Sequence, residues 1–316
     1  MAITRPFRFG LNPGLVHIAN SREELVNKAR RAEELGYSTF FAIDHFPAPL
    51  SPLSPLIALM AVADATQTLR VGTFVLSNDF RHPALLAKEA ATLNLLSNGR
   101  FEMGIGAGYM RSEYEQVGIP FDAPGVRIRR LEEGVRIIKT LWTEESVTFS
   151  GVHYTITNLQ GRSQPAQHPP ILIGGGGKRL LSVAGRVADI ISFNPQLGEA
   201  GSTDIADSTE TALQEKLAWV REAAGERFPQ LELNLQISVV VVTEDRISAA
   251  QAIAKALGIQ ADPELILSAP YALIGTVEQI IERLYTLRER YGINYFVVPL
   301  AQMDELSPIV ARLAGA

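Results

Sequence analysis

The chain of 316 residues is 47% hydrophobic and 20% charged, with a formal net charge of −5. This composition can bury a large core, and the lack of a Lys/Arg block excludes an electrostatic footprint for nucleic acid or an anionic membrane. Zero cysteines exclude disulfides, thiolate metal sites, iron–sulfur clusters and a Cys nucleophile, and they fit a reducing cytosol.

The first elements repeat as strand, helix, strand. Phe7 to Leu11 is a short strand-like run broken by Asn12, Pro13 and Gly14, and Ser21-Arg22-Glu23-Glu24 then has the form of a capping box. A helix follows, with Leu25, Val26, Ala29, Ala32 and Leu35 on one face and Gly36 at its end. Ser38 to Ile43 has the β-branched and aromatic content of a buried strand. Ser54-Pro55 opens a helix, Leu69 to Val75 is a third strand, and His82-Pro83 opens the helix Leu85 to Leu96. Phe101 to Ile105 is a fourth strand and is followed by a long helix from about Gly125 to Trp142, with Leu131, Val135, Ile138 and Trp142 in the core. Ile171 to Ile173, Asp189 to Phe193, Leu233 to Val242 and Tyr295 to Val298 complete the strands. Helices are expected around Lys178 to Arg186, Leu213 to Ala224, Ile247 to Ala256 and Val277 to Tyr291.

Strands separated by helices must run parallel, and eight such units close most simply into a (β/α)8 TIM barrel, with a doubly wound open sheet as the structural alternative. Phe80 to His82, Gly118 to Pro124, a hairpin from Ser146 to Gln160 around Gly151, and Asp262 to Ile274 fall outside the repeat as insertions. No linker or composition shift divides residues 1–316, which are taken as one domain. Met1 to Arg8 has no apolar signal core, and no stretch reaches the roughly 18 apolar residues of a membrane span. A cytoplasmic protein is expected.

In an α/β barrel the active site lies at the carboxyl ends of the strands. The second strand ends in Asp44-His45-Phe46-Pro47, which puts a carboxylate and an imidazole side by side at the mouth; the bland alternative is a loop aspartate beside a surface histidine. The third and fourth strands end in small residues, Gly72-Thr73-Phe74-Val75 and Gly104-Ile105-Gly106-Ala107-Gly108-Tyr109, as at positions where a ligand meets backbone closely. The most specific signal is Ile171-Leu172-Ile173 running through Gly174-Gly175-Gly176-Gly177 into a helix. Bare backbone N–H groups and the helix dipole make that turn a phosphate cradle. Asp79, Arg81 and Arg111 are further candidates for the mouth or are simply solvated. His17, His82, His153 and His168 lack metal-ligand spacing, so no metal is expected.

At these strand ends the sequence resembles the luciferase-like monooxygenase superfamily, and within it the branch that uses the deazaflavin coenzyme F420. The resemblance lies in AIDHF at 42–46, VGTFVLSNDFRHPALLAKEAATLNLLSNGRFEMGIGAGY at 71–109 and HPPILIGGGGKRLLSVAGRVADIISF at 168–193, with YFVVP at 295–299 as the closing strand. It implies a cis peptide at Phe74-Val75 against the central ring of the cofactor, Asp44 and His45 at the ring edge, and phosphate contacts at Gly174, Gly175, Gly176 and Gly177. Thr73, Phe74, Val75, Gly106, Ala107, Gly108 and Asn194 complete the cofactor site that the resemblance implies. Sugar-phosphate dehydrogenases of this branch carry a proton-donating Glu directly after Gly-x-Gly-x-Gly, where this chain has Tyr109. That departure points away from glucose-6-phosphate oxidation and toward a reductase or another oxidation.

The resulting expectation is an F420-dependent oxidoreductase that exchanges a hydride at C5 of the deazaflavin with a small organic substrate, His45 handling a proton with help from Asp44 or Tyr109. The alternatives are a two-component monooxygenase that uses FMN and, from another class, a non-catalytic flavin carrier. A phosphosugar aldolase would need a Schiff-base lysine that the strand ends do not supply. The resemblance also implies a homodimer.

Overall fold

The computed structural model describes residues 5–14, 18–46, 53–161, 168–196, 206–258 and 262–316. Its strands β1 (Arg8–Asn12), β2 (Thr39–Ala42), β3 (Arg70–Thr73), β4 (Phe101–Gly106), β5 (Ile171–Gly175), β6 (Ile190–Phe193), β7 (Glu232–Gln236) and β8 (Tyr295–Pro299) all pair in parallel, in the order β3-β2-β1-β8-β7-β6-β5-β4. A pairing of Val71 with Phe101 and Gly72 with Glu102 joins β3 to β4 and closes the ring. The sheet is a (β/α)8 barrel and not the doubly wound alternative.

Each strand sends alternate side chains outward and inward. Phe9, Phe40, Val71, Phe101, Ile173, Ile191, Leu235 and Phe296 face the helices in the large outer core. Phe41, Phe74, Leu172, Ile190, Tyr295 and Val297 fill the axis. The Phe41 ring occupies so much of that axis that a Cβ on Gly72 would stand 2.5 Å from it and one on Gly10 2.7 Å. Glycine at both positions is therefore a packing requirement.

The helices are α1 (Arg22–Glu34), α2 (Pro55–Ala65), α3 (Pro83–Leu96), α4 (Arg111–Gln116), α5 (Pro124–Thr143), α6 (Lys178–Val187), α7 (Glu210–Ala224), α8 (Arg246–Ala256), α9 (Pro263–Ser268), α10 (Val277–Tyr291) and α11 (Met303–Leu313), and those with sequence signals start where the signals place them, with one variation. Ser21 Oγ accepts the N–H of Glu24, but the Glu24 carboxylate reaches past Ser21 to the N–H of Asn20, so the box is half formed and shifted by one residue. The complete reciprocal box lies instead at Thr276 and Gln279, which start α10 (Val277–Tyr291). The antiparallel hairpin pairs Ser146–Ser150 with Thr155–Gln160.

Two expectations need correction. Leu233 to Val242 is not one strand: β7 ends at Gln236, and Val239–Val242 leaves the barrel to pair in parallel with Ala272–Gly275, at the end of the segment Asp262 to Ile274 expected to be an insertion. Apolar and polar residues alternate from Leu233 to Ser238 and then give way to four valines, and it is at this change, where Ser238 donates its N–H to Tyr271 O, that the chain leaves the barrel. The second concerns helices passed over in the sequence: Arg111–Gln116, Pro263–Ser268 and Met303–Leu313.

The amino end of the barrel is closed by charge. Glu102, 1% exposed, accepts from both Arg8 and Arg70 (2.6 Å to Arg70 Nε) and from the Tyr295 hydroxyl at 3.0 Å, while Arg8 also holds Glu232 at 2.6 Å. Burial by itself would raise the Glu102 pKa, but the charges and hydrogen bonds of Arg8 and Arg70 outweigh it and hold the carboxyl below its ordinary 4.5. Because the folded-state value is the depressed one, this stabilisation is complete above about 4.5 and is lost as the pH falls toward the folded value. Glu102→Gln should cost about 3–5 kcal/mol in urea-induced unfolding at neutral pH. The gap between variant and wild type should narrow as unfolding is repeated at pH values below 4; an unchanged gap would sink this account.

Candidate active site

Parallel closure brings the carboxyl ends of all eight strands to one face, where the loops after β2 to β6 meet. The chain leaving β2 delivers Asp44 and His45, but the two side chains take different partners. The Asp44 carboxylate accepts both guanidinium arms of Arg81, at 2.5 and 3.0 Å, and the backbone N–H of Ser77 at 3.0 Å. Burial lowers the Arg81 pKa, yet the hydrogen bond and charge of Asp44 raise it above its ordinary value, so the guanidinium stays charged. Asp44 thus anchors the turn Asn78–Phe80 to β2 and is not the group that orients His45, contrary to the role expected from its sequence position.

The carboxylate at His45 is Glu113, from the short helix α4 (Arg111–Gln116). Its two oxygens lie 2.9 and 3.0 Å from His45 Nδ1, one of them also accepts the Phe46 N–H at 3.1 Å, and its side chain is 3% exposed. The Tyr109 ring stands edge-on to the imidazole, with centroids 5.9 Å apart and planes at 86°. Burial, and then the charge of Glu113, push the Tyr109 phenol pKa upward, so the phenol keeps its proton. Sequence reasoning missed Glu113 because six residues are too few to show a helical face, and Arg111-Ser112-Glu113-Tyr114-Glu115 looks like a solvated charge run. Only the fold buries Glu113 and Tyr114 while leaving Arg111 and Glu115 out.

The glycines at the end of β4 and just beyond it serve the protein itself. A Cβ on Gly104 would stand 1.9 Å from Thr73 O, one on Gly106 2.8 Å from Val75, and one on Gly108, whose φ is +71°, 1.9 Å from the Tyr114 hydroxyl. These positions were expected to leave room for a ligand; chain and side chains fill that room. The Phe74–Val75 peptide is cis, Phe74 packs at 5.2 Å against Phe41, and the Thr73 hydroxyl is buried and donates to Gly104 O at 2.7 Å. Ala107 is likewise nearly covered, its carbonyl accepting from Arg127 Nε. Of the other mouth candidates, Asp79 is held by Arg130 at 2.8 Å, and Arg111 lies 4.6 Å over the Phe121 ring. His17 and Pro47 lie outside the described residues.

The glycine run after β5 behaves differently along its length. A Cβ on Gly175 would meet Leu180 at 2.5 Å, and one on Gly176 would meet the backbone of Asn194 to Gln196 at 2.6 to 2.8 Å. Gly177, at the start of helix α6 (Lys178–Val187), has nothing within 4 Å, and no side chain caps the helix there. Beside Gly174 stands Asn194, whose Oδ1 is buried and has no hydrogen-bond partner among the described residues. Its main-chain carbonyl is fixed by the buried Lys216, which also binds the Asp207 carboxylate at 2.6 Å.

Titratable side chains gather on one face while an ion-pair plug closes the other, as in an α/β-barrel enzyme. The model of the luciferase-like monooxygenase family matches residues 6–272, and the chain belongs to that family. It is 36% identical over 176 residues to an F420-dependent glucose-6-phosphate dehydrogenase of Amycolatopsis mediterranei, spanning 52% of this chain and only about half, 51%, of that relative. The enzyme of the same description from Nakamurella multipartita is 34% identical over 250 residues, covering 76% of this chain and 69% of its own. Among solved structures, an F420-dependent secondary alcohol dehydrogenase in complex with an F420-acetone adduct superposes with a TM-score of 0.75 at 18% identity, over 98% of this chain and 99% of its own.

The glycines make a sharp contrast for experiment. Gly176→Ala must displace backbone and should cost about 1–3 kcal/mol, whereas Gly177→Ala, with open space around it, should stay within about 0.5 kcal/mol of wild type. Thermal unfolding of the two variants checks this, and equal melting temperatures would contradict it.

Proposed function

We propose that the protein is an F420-dependent oxidoreductase that transfers a hydride between the deazaflavin and a small organic substrate, with His45 and Tyr109 as the groups that handle the accompanying proton. The observation that carries this reading is an imidazole at the strand ends, held on one nitrogen by a nearly buried carboxylate and flanked by a protonated phenol. A protein that only carried a flavin would have no use for it. The relatives named as F420-dependent support the same cofactor here.

The residues present fit such a cofactor. The uncovered start of α6 at Gly177, with Lys178 and Arg179 exposed in its first turn, suits a phosphate on the tail. The unpaired Asn194 Oδ1 beside Gly174 suits a polar hydrogen, which would relieve a buried acceptor. Val75, at the edge of the axial cluster, is the apolar surface on which a flat ring would rest. A bound deazaflavin supplies a two-electron hydride donor or acceptor at C5. Around it the chain's task is to hold the substrate, exclude water and keep His45 and Tyr109 in opposite protonation roles.

Equilibrium titration of the purified protein with F420 and, separately, with FMN, followed by the fluorescence of each chromophore, tests the reading. Micromolar or tighter F420 binding with weaker FMN binding is expected. The reverse order would transfer the assignment to an FMN-dependent monooxygenase, in keeping with the family's description. Across a panel of oxidisable and reducible small molecules, His45→Asn should lower F420 turnover by about 10²–10⁴ while leaving the F420 dissociation constant within about threefold of wild type. A large loss of F420 affinity would instead make His45 a binding group.

A further inference from the structure

The oxidoreductase reading leaves open which atom of His45 does the work and what decides it. Resting on that reading, we propose that Glu113 is a positioning residue that fixes His45 in the Nδ1–H tautomer, so that Nε2 is the nitrogen that exchanges a proton at the barrel mouth.

The argument starts from the donor inventory. A neutral imidazole has one N–H and one bare nitrogen, and an ionised carboxylate can only accept. Both oxygens of Glu113 lie within 3.0 Å of Nδ1, so the hydrogen must sit on that nitrogen. The Phe46 N–H, donating to Oε1 at 3.1 Å, adds a second donor to the same carboxylate. Glu113 is 2% exposed, so water cannot take the place of either donor, and turning the ring over would leave a buried acceptor without its partner. The other nearby carboxylate, Asp44, is fully engaged by Arg81 and Ser77 and cannot compete. Among the described residues, the titratable groups in contact with the ring are thus Glu113 from α4 and Tyr109 from the loop after β4. No hydrogen bond of the described residues engages Nε2 or the Tyr109 hydroxyl, so the mouth presents one acceptor and one donor.

Glu113 itself is placed by its neighbour. Tyr114 projects into the space that Gly108 leaves open, 3.2 Å from Ser77 Oγ and 3.3 Å from Asp79 Oδ2, and this pins α4 against the strand ends. The chain therefore sets the tautomer through one short helix whose position depends on a glycine five residues before the carboxylate.

The decisive measurement is the nitrogen-15 NMR spectrum of the imidazole rings in the wild-type protein without added cofactor. His45→Gln identifies the His45 signals among the five histidines. The expected result at a pH where the ring is neutral is an Nδ1 with the shift of a protonated nitrogen and an Nε2 with that of a bare one. The opposite pattern in wild type overturns the proposal outright, whether or not any variant folds. Glu113→Gln keeps the shape but offers a donor as well as an acceptor, and it should shift the ring toward a mixture of tautomers. In turnover it should lower kcat at least tenfold with KM and F420 affinity little changed; an unchanged tautomer in that variant would also overturn the proposal. Because the spectrum needs no cofactor, a protein that bound neither F420 nor FMN would defeat the functional reading while leaving this assignment to be judged on its own signal.

Discussion

Closure of eight parallel strands by the β3–β4 pairing is the constraint on which the rest depends. A ring of this size has an interior too narrow for a side chain at every inward position, so large and absent side chains must alternate. Phe41 and Tyr295 fill the axis because Gly10 and Gly72 stand aside. One level higher the same trade recurs with backbone and side chains: Gly104 yields to the Thr73 carbonyl, Gly106 to the Val75 side chain and Gly108 to the Tyr114 hydroxyl. The glycines that look like a ligand's footprint are therefore first the conditions for the wall that a ligand would meet.

That packing reaches the candidate chemistry through a short chain of contacts. Gly108 admits Tyr114, Tyr114 fixes α4, α4 carries Glu113, and Glu113 holds His45. Each link is a close fit or a hydrogen bond between described groups, and none involves the large outer core. The site's geometry is thus set by local packing at the mouth, while most of the buried apolar area, which supplies the bulk of the stabilisation, lies between sheet and helices.

Charge is divided in the same way. At the amino end, Arg8, Arg70, Glu102 and Glu232 satisfy one another in a closed network with no group left to act on a ligand. At the carboxyl end the pairing is incomplete among the described residues: Asp44 and Arg81 are closed, but His45 keeps one nitrogen free, Tyr109 keeps its hydroxyl and Asn194 keeps a bare oxygen. Opposite ends of one barrel thus differ in kind, a mutually paired plug at one end and donors and acceptors left unspent among the described residues at the other.

Much of this architecture was legible in the residue order. Caps at Ser21, Ser54 and His82, apolar runs of strand length and the turn from Ile173 through four glycines are local features, and local sterics and hydrogen bonding decide them without reference to the rest of the chain. The number of strands, their parallel sense, the mouth position of His45 and the glycine-rich start of α6 followed directly. What the order could not decide is who meets whom: that Asp44 turns to Arg81, that Glu113 comes 68 residues along the chain to His45, and that Val239–Val242 leaves the barrel for Ala272–Gly275. Those outcomes depend on which surfaces are brought together after the ring has closed, and a polar side chain takes whichever partner the closed fold leaves within hydrogen-bond reach.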